Sequence, residues 1–410
     1  MRNFLVTREL AFTWSWRIAI FLLPWQARWF AAAELHGFAW EEGRASVYVS
    51  WFFLLTTIVL AGAPLWMMLR DGLRVRWLFV TLLILLTFIQ LSLHPTAAIA
   101  IFQWWVQVIL LFLFFFALRS ARVPGVAIVP FFLASLIPSC VVGIWQYLSQ
   151  SVPVSTLLGM APHVPAEAGA AVLQLGETRI LRSYGVFPHP NIFGGWLVIG
   201  ISVLPLLRSR VTRDLCALVF GCTLILTFSR AAWLAASIVF ILHMLNRKTR
   251  TEAFVFLTGI TLVAAFVFPQ IHSRIHVQTV IEQRSISARA LAIQQAISYL
   301  RAHPWIGTGP NAEKLIVPNI LEPPHVVPLL ALLNFGILGC AVVFAEVVRI
   351  RRTRIPWIQL FPLLPLILLD HYLWSYWSGM ALWGFVFFTL DDLSKQGKIC
   401  ARLALTLMDC

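Results

Sequence analysis

Charge is scarce in this chain. Only 12% of its 410 residues are Asp, Glu, Lys or Arg, about half the share of an ordinary soluble domain. That leaves too little charge to cover a large water-facing surface. Acids are the scarcer half, 17 against 31 Lys and Arg. No Asp-x-Asp pair occurs, and no outward carboxylate cluster is available for magnesium or manganese. No Gly-x-x-x-x-Gly-Lys-Ser/Thr sequence occurs, which excludes a P-loop ATPase. Internal repeats and low-complexity segments are also missing. The six cysteines, Cys140, Cys216, Cys222, Cys340, Cys400 and Cys410, have no metal-ligand spacing with a histidine. Neither a disulfide nor a structural zinc is expected.

Apolar residues are abundant instead, at 60%. Apolar runs of membrane-spanning length recur from Arg17 to Leu390, with no soluble-looking stretch between them. Residues 1–410 are expected to form a single integral-membrane domain. The fold class is all-α and polytopic, with about twelve transmembrane helices. The expected spans are 16–33, 47–69, 77–93, 98–118, 125–148, 190–207, 214–228, 231–246, 252–269, 326–348, 355–373 and 375–390. Ala31-Ala32-Ala33 resembles a signal-peptidase site, but Pro24, Gln26 and Arg28 make a poor signal core before it, so the first span is expected to be retained.

The net charge of +14 does not point to nucleic acid, because the basic residues sit in short clusters between apolar runs. Arg70, Arg74 and Arg76 form one cluster, Arg119 and Arg122 the next, then Arg208, Arg210 and Arg213. Arg247, Lys248 and Arg250 follow, then Arg349, Arg351, Arg352 and Arg354. Arg2 and Arg8, with Lys395, Lys398 and Arg402, mark the two tails. Every second loop is therefore positive, which places those loops and both termini in the cytoplasm. Two long loops, 149–189 and 270–324, then face outward, the second between spans nine and ten. Loops of that kind carry function on a rigid scaffold. The first reads as irregular. The second holds an amphipathic stretch, Ser287 to Leu300, with Leu291, Ala292, Gln295, Ala296 and Tyr299 at helical spacing. His303-Pro304 ends it, and Gly307-Thr308-Gly309-Pro310 makes a tight turn.

Four places carry chemistry. The apolar run from Leu215 to Leu245 is interrupted at Ser229-Arg230. One helix of that length, about 45 Å, is too long for a hydrocarbon core of about 30 Å, and two helices of about 22 Å are too short. A recessed turn at Arg230 would need a partner or a wet cavity. The alternative is an arginine that snorkels to the interface. Pro190 suits the first turn of span six, which leaves a helix N-terminus, attractive to anions, just after Arg182. The alternative there is an ordinary junction with a solvated arginine. Arg289, flanked by Arg284 and Arg301, either touches lipid phosphates or turns inward. His325 tops span ten. Asp370, beside His371 near the end of the neighbouring span, either orients that imidazole or makes a polar helix contact.

These pieces resemble the O-antigen ligase and polysaccharide polymerase superfamily. Phe21 to Arg28 looks like its first-span signature. Arg182-Ser183-Tyr184-Gly185-Val186-Phe187-Pro188-His189-Pro190-Asn191 is similar to its Arg-x-x-Gly-x-Phe-x-His-Pro-Asn segment. Ser229-Arg230-Ala231 looks like its Ser-Arg-Gly/Ala box. Arg289 with Pro304 to Asn311, and Pro324-His325 with Gly336-Ile337-Leu338-Gly339, resemble its remaining blocks. Val326 stands where the family usually has Asn, and Asn334 where it often has an acid.

The resemblance implies a glycosyltransferase with a GT-C-like membrane fold in the bacterial inner membrane. A glycan on undecaprenyl diphosphate would pass to an acceptor hydroxyl at the periplasmic face, with inversion and without a metal or other cofactor. His325 would be the general base. Arg182 and Arg289 would hold the diphosphate, with Arg230 shaping the site. Asp370, His189 and Asn191 would support them. The expected partners are the lipid-linked donor, lipid A-core or a glycan as acceptor, and membrane lipids. O-antigen ligation is the leading reading, and repeat-unit polymerisation is the alternative. A lipid-linked glycan transporter is the reading from another class. It predicts two similar halves with matching broken helices, and the sequence has no such halves.

Overall fold

The computed structural model describes residues 2–30, 44–276, 280–350 and 360–395. Ala31 to Ala33, Arg351, Arg352, Arg354, Lys398, Arg402, Cys400, Cys410 and the start of the expected span 355–373 lie outside the described residues. The first half holds helices α1 (Arg2–Leu22), α2 (Val49–Ala61), α3 (Ala63–Leu93), α4 (Ala98–Ser120) and α5 (Gly125–Ser149). Next come α6 (Pro190–Val203), α7 (Arg210–Leu226), α8 (Arg230–Leu245), α9 (Arg250–Phe266), α10 (Phe268–His276) and α11 (Val280–Ala302). The last are α12 (Glu313–Ile316), α13 (Val327–Ile350), α14 (Leu363–Leu369), α15 (Tyr372–Ser375) and α16 (Trp377–Lys395).

The fold is mostly helical but not all-α. Strands β1 (Arg28–Phe30) and β2 (Ser46–Tyr48) form one antiparallel ribbon. Strands β3 (Val172–Leu175) and β4 (Thr178–Leu181) form another around Gly176, so the loop 149–189 is not irregular throughout. The described part of 270–324 holds the end of α10, then α11 and α12.

Four helices among the described residues are long and apolar enough to cross a membrane: Ala63–Leu93, Pro95–Ser120, Gly125–Ser149 and Val327–Arg349. The pair α9 and α10, bent by 89°, makes a fifth if taken as one span. Other apolar helices are shorter. Helix α8, at 16 residues, rises only about 24 Å. The long helices expose Trp66, Trp77, Leu82, Phe88, Phe102 and Phe112 among many large apolar side chains. A belt of that size faces lipid rather than water. The chain is a multi-pass membrane protein.

The helix boundaries differ from expectation where breakers and helix formers overrule hydropathy. Helix α1 starts near the N-terminus rather than at residue 16, and Arg8 is held by two bonds to the Leu60 carbonyl. Residues 70–76, expected as a loop, continue helix α3 with one non-helical residue, Arg76 (φ −117°, ψ 16°). Arginine and leucine are good helix formers, so Arg70 and Arg74 stay helical and the kink falls at Arg76 alone, just before the expected start of the third span.

Helix α6 lies at the centre. Every residue from Pro190 to Ile201 is buried, as an all-round apolar helix requires. A Cβ on Gly195 would collide with the Tyr372 hydroxyl. Only glycine lets the segment after α14 approach this closely. That packing brings residues 370–372 to the N-terminal end of α6.

Candidate active site

Four separate segments converge here. The first is the stretch before α6. Gln146 on α5 holds it, accepting from the Tyr184 and Gly185 N–H groups at 3.0 and 2.9 Å and donating to the Gly185 carbonyl at 2.8 Å. Ser183 donates to the Gly143 carbonyl at 2.7 Å. Arg182 is thereby buried, 4% exposed. Its Nε donates to the Thr227 carbonyl at 2.7 Å and its Nη2 to Asn191 Oδ1 at 2.6 Å. His189 caps α6 by accepting the Asn191 N–H at Nδ1, 3.1 Å away. Burial first, then the nearby Arg182, pushes the His189 pKa down to about 3, so the ring stays neutral and can accept.

The second is the turn between α7 and α8. Ser229 caps α8 through the Ala232 N–H at 3.4 Å. The expected break at Ser229-Arg230 is present. Arg230 has the partner that a recessed position requires. Its Nη1 lies 3.2 Å from Glu282 Oε2. The acid is 52 positions away on α11, so a search of near neighbours misses it. Arg274 on α10 pairs with the other oxygen of Glu282 and also donates from Nε to the Phe228 carbonyl at 3.1 Å.

The third is α11, where the expected amphipathic stretch is helical. Ala292 and Ala296 are buried against Leu330 and Leu333, while Leu291 is exposed. Arg289 is half-buried and makes no hydrogen bond or ion pair among the described residues. Its charge nonetheless acts on Arg182, His189, Arg274 and His325. Burial lowers the pKa of Arg182 well below its usual value, and Arg274 and then Arg289 push the same way. Such a crowd of cations attracts an anion.

The fourth pairs the mouth of α13 with the break after α14. His325 lies between two carboxylates. Its Nδ1 is 3.6 Å from Asp370 Oδ1 and its Nε2 is 3.4 Å from Glu322 Oε2. Burial disfavours the imidazolium, but Asp370 and Glu322 outweigh it and raise the pKa. Asp370 sits in extended backbone at the end of α14. It accepts from Asn191 Nδ2 at 2.6 Å and from the His371 N–H at 2.8 Å. The result is a chain of side chains from Arg182 through Asn191 and Asp370 to His325.

His325, Asp370 and His371 offer ligand atoms within 4.8 Å of one another, a spacing that fits a metal ion. The Asp370 oxygens already accept from Asn191 and His371 N–H, and His371 Nδ1 bonds Ser375 Oγ at 3.1 Å. The buried Nδ1 of His325 has no hydrogen-bond partner among the described residues.

Val327 and Leu373, each two residues beyond these histidines, line an apolar cavity of about 970 Å³ together with Trp104, Phe115, Trp374 and Trp383. All seven residues singled out from the sequence thus fall in or beside one cluster. Glu282, Arg274, Glu322 and Gln146 were missed. Glu282 had a signal, since it precedes Arg289 by seven residues, two helical turns on one face. Cys140, Cys216, Cys222 and Cys340 are free thiols away from the cluster.

Residues 215–344 match the family described as O-antigen ligase. The matched segment carries Arg230, Arg274, Glu282, Arg289 and His325. No curated protein matches the chain.

Proposed function

We propose that this O-antigen-ligase-like membrane protein transfers a glycan from undecaprenyl diphosphate to an acceptor hydroxyl at the periplasmic face of the bacterial inner membrane. One observation carries the reading: the Arg182–Asn191–Asp370–His325 chain joins a cluster of cations to a base held by a carboxylate. Cations suit the donor diphosphate, and the base suits the acceptor.

The acceptor hydroxyl attacks the anomeric carbon, and the bond from that carbon to the diphosphate oxygen breaks. Configuration inverts in this single displacement. His325 takes the hydroxyl proton. Asp370 faces Nδ1, so Nε2 is the nitrogen that takes the proton, with the acceptor hydroxyl replacing Glu322 beside it. Contacts of this kind are often long without substrate and tighten when it binds. Arg182 and Arg289 neutralise the charge that grows on the leaving diphosphate, the work a metal does in other transferases. Arg182 is fixed by Thr227 and Asn191. Arg289 has no hydrogen-bonding partner among the described residues and is open to one from the substrate. The apolar cavity beside Val327 and Leu373 suits the lipid chain.

The chain is expected to span the membrane about twelve times with both termini cytoplasmic. Lipid A-core is the preferred acceptor. The test supplies detergent-purified protein with lipid-linked glycan and either lipid A-core or more lipid-linked glycan, with EDTA and without ATP. Glycan on lipid A-core supports ligation. A ladder of longer lipid-linked chains reassigns the protein as a polymerase. No transfer to either by folded protein removes the reading.

A further inference from the structure

We infer that Glu282, through Arg274 and Arg230, is the positioning residue that sets the place of Arg289. The inference deepens the proposed function and rests on it only in giving Arg289 the donor diphosphate. Glu282 is 4% exposed in the first turn of α11. Each of its oxygens holds an arginine from a different helix, Arg230 at the start of α8 and Arg274 on α10. Arg274 also holds the carbonyl of Phe228, next to the Ser229 cap. One carboxylate therefore ties α8, α10 and α11 at a single point.

The stretch that follows lacks such a hold. Residues 283–288 are exposed. Arg289 is half-buried, Ala290 and Leu291 are exposed again, and full burial resumes where Ala292 and Ala296 pack on Leu330 and Leu333. Arg289 thus lies between two anchors, the Glu282 clamp two turns before it and the alanine face after it. Glu282 and Arg289 share a helix face because seven residues make nearly two whole turns.

The electrostatics require such a hold. Arg182, Arg274 and Arg289 each disfavour the charge of another. A long, flexible cation in that company lowers its energy by swinging outward to water or lipid phosphate. Glu282 is a poor contact for the diphosphate itself, since two anions would repel. Its presence in a donor site lowers affinity for an anion unless it contributes geometry. A buried acid with two arginine partners also resists removal, because loss of one charge strands the others.

The two roles separate experimentally. Glu282→Gln keeps the volume and one acceptor oxygen but removes the charge. If Glu282 only tempers the local potential, the variant tightens donor KM and leaves kcat alone. If it positions Arg289, kcat/KM for the donor falls on the order of 10- to 100-fold, the scale of a displacement of about 1 Å. In an Arg289→Ala background, Glu282→Gln then has no further effect. Amide exchange over residues 283–288 accelerates about tenfold as the stretch opens locally. Arg274→Lys, which keeps the charge but not the fork, gives the same pattern should Glu282→Gln fail to fold.

Unchanged exchange, a tightened donor KM, or effects of Glu282→Gln and Arg289→Ala that multiply would each overturn the inference. Wild-type protein that folds but transfers nothing defeats the proposed function instead, while the exchange measurement still decides whether Glu282 holds α11.

Discussion

Asn191 Nδ2 donates to Asp370 Oδ2 over 2.6 Å, joining positions 179 residues apart. The same Asn191 accepts from Arg182 at Oδ1. One amide therefore connects the base side of the site to its cationic side, and it sits in the first turn of the buried helix α6.

Asp370→Asn keeps that size and still offers an acceptor to Asn191, but it removes the charge facing His325. The expected result is a fall in kcat of about 10²- to 10⁴-fold, the range for loss of general acid–base assistance, with donor KM little changed. Steady-state transfer by the purified variant checks this. A donor KM that rises while kcat holds would move Asp370 from the base to the donor.

Arg289→Ala is expected to lower kcat/KM by about 10²- to 10³-fold, the scale of one preorganised charge-stabilising donor. Lysine recovers only part, lacking the planar fork that matches a phosphate. Thermal unfolding in detergent stays near wild type, because Arg289 makes no protein hydrogen bond or ion pair among the described residues. Arg182→Ala, by contrast, lowers the unfolding midpoint as well, since the Thr227 carbonyl and Asn191 lose their partner.

The raised pKa of His325 gives activity and stability opposite pH dependences. The unfolded imidazole titrates near 6.5, and the folded one above it. Stability from this group is complete below 6.5 and is lost as pH rises through the folded value. Catalysis needs the neutral ring, so the rate rises over the same window. Glu322→Gln removes one of the two carboxylates that raise the value. It should shift the acidic limb of the pH–rate profile to lower pH. A limb that stays fixed would separate that titration from His325.

Gly336 has φ 62° and ψ −176° inside α13, a region open essentially to glycine alone. A Cβ there would collide with the Trp305 carbonyl oxygen. Gly336→Ala is expected to destabilise by more than about 1–3 kcal/mol, read as a lower unfolding midpoint. Gly72 is the control. It lies in α3, where an added Cβ would meet nothing within 4 Å, so alanine there stabilises by about 0.5–1 kcal/mol.

Much of this site could be read from local sequence because its parts are local. The His189-Pro190-Asn191 start of α6, the Ser229 cap and the Gly307 and Gly309 turn follow from capping and turn chemistry within a few residues. Long apolar runs place α4 and α5 within a residue or two of their limits. Two kinds of feature were not legible, and a third had a signal. Glu282 reaches Arg230 and Arg274 through tertiary packing, which spacing does not encode. Helix α3 stays helical through Arg70 and Arg74, where hydropathy places a loop, and kinks only at Arg76. The β3–β4 ribbon did carry a signal, since Val172 to Leu181 reads as two short β-prone runs around Gly176-Glu177.

The fate of the donor lipid tests the central claim most directly. Wild-type protein is given lipid-linked glycan and acceptor, and the released lipid is identified by mass spectrometry. Undecaprenyl diphosphate appearing one for one with transferred glycan, and lost with Arg289→Ala, is the result expected of displacement at the anomeric carbon. Undecaprenyl monophosphate, with the second phosphate carried on the glycan, would mean that a different bond breaks and would contradict the account.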